Sequence, residues 1–383
     1  SGIVKLPPGA KAVAISAGGF HTCAVLDDGR ALCFGRGING PLGSDATASI
    51  GDDPARPTAS GIVKLPPGAK AVAISAGNIH TCAVLDDGRA LCFGLGASGR
   101  LGMDSTDGRG YSPAFLTASS IVRLSGSDFS NLAIAATDST CSISASATVA
   151  CWGSNAQGQL GSGSPGSIGD DETASSGTAV ALPGGADAIG LFAGLAHTCA
   201  LLQGGQLACW GAASEGRLGY GDESTAPGAT TTPADAGALP QRSEQTALIM
   251  ALGEGHTCTL YAADTACRSR SVVCWGRNAA GQLGLGDSDD SAHVATPATA
   301  IEAQLHIGEA VTALDGGANH TCAIYASGGL VCWGEGGSGR LGSGGTASIG
   351  LAQTPGSQPM VALPTGRSAV QVSCGDEHTC VIL

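Results

Sequence analysis

The sequence predicts an all-β fold of short repeated strands, a solenoid or a propeller, on three observations. The stretch HTCAVLDDGRALCFG (21–35) returns almost unchanged at 80–94. The first cysteine of each such stretch falls at 23, 82, 141, 199, 258, 322 and 380, a step of roughly sixty residues held along the whole chain. Gly (62) and Pro (17) are abundant, charged residues make up 13%, and the apolar segments are short, which suits tight turns between strands rather than long amphipathic helices. The frequent, regularly placed apolar positions exclude intrinsic disorder.

Each repeat presents the same elements in the same order. A short apolar segment comes first, GIVKL at 2–6 and 61–65 or MVAL at 360–363. An alternating strand such as AVAIS follows and ends near Gly; a second strand opens with H-T-C; a tight turn leads to a third strand ending in C-F-G or C-W-G. A loop rich in Gly, Ser and Asp connects to the next repeat. Residues 1–16 and 60–75 are identical, which points to duplication. The approximate units are 1–59, 60–118, 119–178, 179–236, 237–299, 300–359 and 360–383, with 1–6 closing a single domain.

The cysteine spacing fits a hairpin. With Asp27, Asp28 and Gly29 as a three-residue loop, three residues flank it on each side and Cys23 falls opposite Cys33. Such a loop wants a left-handed last residue, and Gly29, Gly88, Gly205 and Gly328 supply it, whereas the third unit has Ala147. The pairs Cys23/Cys33, Cys82/Cys92, Cys141/Cys151, Cys199/Cys209 and Cys322/Cys332 share one spacing, and Cys258/Cys274 has a longer loop. None of the 15 cysteines lies in C-x-x-C, so the common zinc and redox spacings are missing. Regular pairing on this scale argues for disulfides and an oxidising, extracellular compartment.

Composition excludes further classes. Net charge is −13, from 18 Lys+Arg against 31 Asp+Glu, and no basic cluster is present, so nucleic acid is not an expected partner. An acidic surface favours solubility and cationic partners. No apolar run is long enough to span a membrane, and no signal peptide is visible, so a removed export signal or a processed form is expected.

The pattern G-x-x-H-T-C-A-L…G-x-L-x-C-W-G-x-N-x-x-G-Q-L-G, seen in GLAHTCALLQGGQLACWG (194–211), CWGSNAQGQLG (151–161) and CWGRNAAGQLG (274–284), resembles the regulator of chromosome condensation repeat family. The resemblance covers nearly the whole chain. It implies a seven-bladed β-propeller with four-stranded blades. The loops IGDDPA (50–55) and IGDDET (168–173), with the paired cysteines, resemble secreted bacterial members. Functions in the family sit on blade loops and differ between members, so the resemblance carries no functional residue over.

Other motifs are weighed against simpler roles. GRGING (35–40), GLGASG (94–99) and GEGGSG (334–339) match G-x-G-x-x-G, but no helix signal follows, and the Asn that replaces Gly in GSNAQG (153–158) and GRNAAG (276–281) marks turns. His21, His80, His197, His256, His320 and His378 share one repeat position, with Ser139 in the third unit; hydrogen-bonded packing is favoured over a metal ring. Trp152, Trp210, Trp275 and Trp333, with Phe34 and Phe93 as substitutes, are read as packing between blades. Asp287, Asp289 and Asp290, with Asp170, Asp171 and Glu172, lack a full calcium-loop signature. Asn319 heads a glycosylation sequon that overlaps H-T-C, which disfavours modification. No cofactor, metal or catalytic constellation is expected, and the chain is read as a non-enzyme.

The seventh unit stops at HTCVIL (378–383), before any C-W-G strand. Residues 2–6 are expected to close the ring against 368–383. Cys380 lacks its usual partner, and Cys374, where other units have Ala17 or Ala76, is expected to bond it instead. Cys267 is then the odd cysteine, free or joined to another molecule. An incomplete blade offers an edge for strand addition. The functional expectation is an extracellular structural propeller that self-associates through that edge, filaments included. The alternative is a secreted protein-binding or inhibitor propeller acting through a loop-lined face.

Overall fold

The computed structural model describes residues 2–110, 121–122, 129–134, 139–171, 174, 179–262, 270–288 and 294–383. Seven small antiparallel sheets follow one another along the chain. The first holds β1 (Ala12–Ala17), β2 (His21–Leu26) and β3 (Ala31–Gly35); the second holds β4 (Ala71–Ala76), β5 (His80–Leu85) and β6 (Ala90–Gly94). The third holds β7 (Phe129–Ile134), β8 (Ser139–Ser144) and β9 (Val149–Gly153), and the fourth β10 (Ala188–Ala193), β11 (His197–Leu202) and β12 (Leu207–Gly211). The fifth holds β13 (Thr246–Leu252), β14 (His256–Ala262) and β15 (Arg270–Gly276), and the sixth β16 (Val311–Gly316), β17 (His320–Tyr325) and β18 (Leu330–Gly334). The seventh has two strands, β19 (Gln371–Cys374) and β20 (Thr379–Ile382). This is the seven-bladed propeller expected from the sequence, and the seventh sheet holds two strands among the described residues.

The hairpin register is the one the cysteine spacing requires. Cys23 lies opposite Cys33, Ala24 opposite Leu32 and Val25 opposite Ala31. The Leu26 N–H bonds the Arg30 carbonyl, and Gly29 takes φ +85° at the end of the three-residue turn. The third sheet makes the same turn with Ala147 at φ +61°, a left-handed conformation held without glycine. The bonds Cys23–Cys33, Cys82–Cys92, Cys141–Cys151, Cys199–Cys209, Cys258–Cys274 and Cys322–Cys332 staple the second strand of each of the first six sheets to the third.

A fourth element completes the blades in outline. The segment that opens each repeat lies on the third strand of the preceding sheet: Ile62 bridges Leu32, Ile121 bridges Leu91, and the Val361 N–H bonds the Leu330 carbonyl. The copy at residues 2–6 does not do this. It forms no strand, Ile3 is 80% exposed, and Lys5 offers its carbonyl to Thr58 Oγ1 on the rim of the first sheet. The expected closure of 2–6 against 368–383 is therefore corrected. In the other repeats that segment lies on a third strand, and the seventh sheet holds none among the described residues.

The core lies between sheets. Six apolar clusters each span two successive sheets, from the first and second through to the sixth and seventh. The junction of the seventh with the first relies on polar contacts. The Ala17 N–H bonds Ser373 Oγ at 2.9 Å, and Gln371 Nε2 bonds the Ile15 carbonyl at 3.2 Å.

Candidate functional site

The repeated H-T-C motif builds a clasp between neighbouring blades. Its second residue reaches back: Thr140 Oγ1 donates to the Arg100 carbonyl, Thr257 to Arg217, Thr321 to Gln282 and Thr379 to Arg340. The tryptophan of the third strand shares that carbonyl. Trp152 Nε1 bonds Arg100 at 3.0 Å, Trp275 bonds Arg217 at 3.0 Å and Trp333 bonds Gln282 at 2.9 Å. A glycine two residues past the carbonyl has to stay small. A Cβ on Gly219 (φ +82°) would lie 2.7 Å from Trp275 Nε1.

The histidine of H-T-C reaches forward to the threonine of the next blade. His21 Nε2 lies 2.7 Å from Thr81 Oγ1, His80 3.0 Å from Thr140, and His197 2.9 Å from Thr257. His256 lies 2.9 Å from Thr321, His320 2.9 Å from Thr379, and His378 2.8 Å from Thr22. Thr81, Thr140, Thr257, Thr321 and Thr379 give their one proton to a carbonyl and so accept from histidine, and the imidazoles bonded to them carry their proton on Nε2. Nδ1 of His21, His80, His197, His256 and His320 meets no protein partner among the described residues. Burial holds His21, His256 and His320 down to about 3, and neighbouring Arg217 adds to the effect at His256. A protonated ring would be a buried cation with a second N–H and no acceptor for it. These histidines are structural hydrogen-bond donors.

Along the axis, the first strands line a cavity of about 210 Å³ that includes Ser16, Phe192, Ala251, Asp315 and Ser373. Asp315 Oδ2 accepts from the Cys374 N–H at 2.7 Å, linking sheets six and seven as Ser373 links seven and one. Burial pushes the Asp315 carboxyl up to about 6, against the bonds it accepts from Cys374, Gly316 and Ser373. His320, Cys322 and Cys374 gather closely enough to share an ion. However, Cys322 is bonded to Cys332 and His320 Nε2 is engaged by Thr379, so the group has no free ligand set.

The remaining cysteines correct the sequence reading. Cys374 and Cys380 are both free thiols. Cys374 pairs with Thr379, and Cys380 pairs with Ser373, one step along the ladder. Adjacent positions face opposite sides of a sheet, so the two thiols point apart. Cys374 Sγ lies 3.7 Å from the Asp315 carbonyl in the sixth sheet, while Cys380 Sγ lies 3.6 Å from Thr22 Oγ1 in the first. The expected Cys374–Cys380 bond is absent for that reason. Cys267 lies outside the described residues, as do Asp289, Asp290 and Glu172. Asp287 accepts from Asn278 Nδ2, and Asp170 and Asp171 are not joined to it by any contact among the described residues. Asn319 is half-buried and bonds Glu335. The glycine motifs are turns: Asn278 Oδ1 takes the Leu283 N–H, and Gly334 has φ +102°.

The outer edge of β20 is the feature in which this ring differs from its own repeats. The second strands β2, β5, β11 and β17 are buried at every residue, but β20 is half-buried throughout. Val381 and Leu383 pack on the sixth-sheet cluster and hold the strand in place. No strand lies on its other side among the described residues.

Comparison with known proteins decides the family. Sequence profiles described as Regulator of chromosome condensation (RCC1) repeat match residues 12–40, 71–100, 271–324 and 327–382. The Ultraviolet-B receptor UVR8 of Arabidopsis thaliana is 30% identical over 385 residues, covering 99% of this chain and 76% of the receptor. The chain belongs to the RCC1 repeat family. The profile matches take in the H-T-C motif of the first, second, sixth and seventh RCC1 repeats and the third strand of the fifth. Among larger relatives, the human probable E3 ubiquitin-protein ligase HERC6 is 26% identical over 86% of this chain, which spans 29% of that protein. Two solved structures share the fold at 18% identity. Human WBSCR16 has a TM-score of 0.75, with 98% of this chain and 87% of that one covered. Prp20p of Saccharomyces cerevisiae has a TM-score of 0.69, with 96% and 81% covered. No helix among the described residues is long and apolar enough to cross a membrane.

Proposed function

We propose that this RCC1-repeat chain is a non-enzymatic extracellular propeller that associates with other polypeptides, copies of itself included, by strand addition at β20. The observation that carries the reading is that edge, a half-buried strand with no strand beside its outer side among the described residues. Unpaired strand edges template pairing with another chain. Six disulfides support an oxidising compartment and a secreted, bacterial-type member of the family. Filaments follow if the second surface of each contact lies elsewhere on the ring. Size measurement of the pure protein across a concentration series tests this. Growth in size that a charged substitution at Val381 abolishes is expected, and a monomer at all concentrations overturns self-association.

A second reading has its own observation. The first strand of most sheets carries a bulge at one equivalent position, Val13, Val72, Ile189, Leu248 and Thr312. Val13, Val72 and Ile189 are 59%, 56% and 58% exposed, and Val370 at the matching place is 71% exposed. Repeat equivalence sets them at one level around the axis. Such an apolar circlet favours a secreted binding or inhibitor propeller that uses one face. A stoichiometric complex lost on Val72→Asp would support it.

A further inference from the structure

The axial cavity carries charge of one sign. Asp315, Glu254 and Asp376 line it, and no lysine, arginine or histidine does so among the described residues. These acids stand at two levels. Asp315 lies inside, on β16, at the repeat position of Ser16 and Ser373. Glu254 and Asp376 stand at the mouth, each directly after a glycine, Gly253 or Gly375, where the sixth repeat has Ala318 after Gly317. The Glu254 N–H bonds the Ala318 carbonyl at 2.9 Å, so these positions share a rim. Between the two levels the wall is apolar, with Ala17, Ala76, Ala193 and Leu252.

The rim is built of acceptors. Gly253 faces the Gly317 carbonyl, Gly317 the Gly375 carbonyl and Gly375 the Gly18 carbonyl, each where a Cβ would stand. Behind Gly317, Nδ1 of the fully buried His320 lies 2.5 Å from that same point and has no protein partner among the described residues. His256 is set in the same way behind Gly253. Arg217 bonds the Glu254 carbonyl and Arg340 the Asp376 carbonyl, but each guanidinium pairs with another carboxylate, Glu215 or Glu335. Burial, then Glu254 and Glu377, raise the Asp376 carboxyl against the pull of Arg340. The rim therefore lacks a cation of its own.

A single metal ion does not fit this arrangement. Among the described residues the cavity's carboxylates do not gather at one point, and the group close enough to share an ion is His320, Cys322 and Cys374. Charges held apart call for a ligand whose charges are apart. We infer that the axial cavity binds a short linear alkyl diamine, one ammonium on Asp315 and the other shared by Glu254 and Asp376. An ammonium is a donor only, which suits a lining of carboxylates and carbonyls. Asp315 keeps about one acceptor site beyond its bonds from Cys374, Gly316 and Ser373. The alkyl chain lies against the apolar wall between the levels. Size agrees: a cavity of about 150 Å³ holds benzene, and this one offers about 210 Å³.

Equilibrium dialysis of the full chain against labelled putrescine at low ionic strength tests this, with butylamine, calcium and acetyl-lysine amide as competitors. Putrescine is expected to bind once per chain, at least about tenfold tighter than butylamine, because only the diamine places a charge at both levels. Asp376→Asn and Glu254→Gln should each lose most of that preference, while Glu244→Gln on an exposed loop keeps it. The rim variants carry the test because Asp315 also braces Cys374. No binding of putrescine, equal affinity for butylamine, or an unchanged preference in both rim variants overturns the inference. Tighter binding of acetyl-lysine amide overturns it in favour of a lysine from a partner polypeptide. Displacement of putrescine by equimolar calcium overturns it in favour of a metal.

Discussion

His378 Nε2 in the seventh sheet lies in hydrogen-bond contact with Thr22 Oγ1 in the first, 2.8 Å away, joining residues 356 positions apart. Elsewhere the same bond accompanies an apolar cluster between sheets. Here it stands beside polar contacts, so closure of the ring depends on it more heavily.

Thr22→Val should weaken that closure. It removes the hydrogen-bond partner of a half-buried imidazole, a loss of about 0.5–1.5 kcal/mol. Urea unfolding should show the fall. Limited proteolysis should cut sooner near residues 2–11 than in the matching variant Thr257→Val, whose junction keeps its apolar cluster.

Acid should loosen the clasp. The buried histidines have folded values near 3 against about 6.5 unfolded, so the unfolded chain binds more protons in between. Their stabilisation is complete above about 6.5 and is lost as pH falls toward 3. Asp315 runs the other way, since its raised carboxyl favours the folded state below about 3.8 and loses that advantage as pH rises through about 6. A tenfold change in proton affinity is worth about 1.4 kcal/mol, so several histidines outweigh one aspartate. The urea midpoint should drop steadily from pH 6.5 to pH 4, and less steeply in His256→Gln.

The ring of histidines breaks at Ser139, and the break is coupled to a neighbour in sequence. Three residues before each histidine stands a glycine, at Gly18, Gly77, Gly194, Gly253, Gly317 and Gly375, while Ala136 precedes Ser139. A Cβ on Gly194 would come within 2.5 Å of His197 Cε1, and one on Gly253 or Gly317 would overlap the imidazole of His256 or His320. Ser139→His alone should therefore destabilise. With Ala136→Gly added, it should gain about 1 kcal/mol by bonding Thr198, and a double-mutant cycle of thermal unfolding measures the coupling.

Ala147→Gly should stabilise the third hairpin. Ala147 sits at φ +61°, where an L-residue is disfavoured by about 1–2 kcal/mol. The gain in midpoint should be absent for the control Ala150→Gly on the adjacent strand, which should lose stability instead.

In the native protein Cys380 should alkylate before Cys374. Cys374 is 6% exposed and β20 is half-buried, and burial raises both thiols. Mass spectrometry after a short iodoacetamide pulse at pH 8.5 reads the order.

The blades were legible because their signals are local. Cys23 and Cys33 fix a turn length, the turn length fixes a register, and the register repeats. The clasp was half legible: H-T-C places histidine beside threonine in every repeat, but only packing of successive blades shows that each histidine serves the next threonine. Cys374 and Cys380 misled because spacing counts residues and not faces. One step of register separates their strands' contacts and turns the two thiols toward different blades. Residues 2–6 misled because their sequence matches 61–65 while the surface they would need is missing.

The carbonyls of Arg100, Arg217 and Gln282 have a consequence for how the protein is made. Each belongs to an earlier repeat and is claimed by threonine and tryptophan of a later one. During translation the third, fifth and sixth blades thus emerge from the ribosome to find their anchors already built, and the loop behind each is fastened only on that arrival. Assembly across these junctions then has the polarity of synthesis.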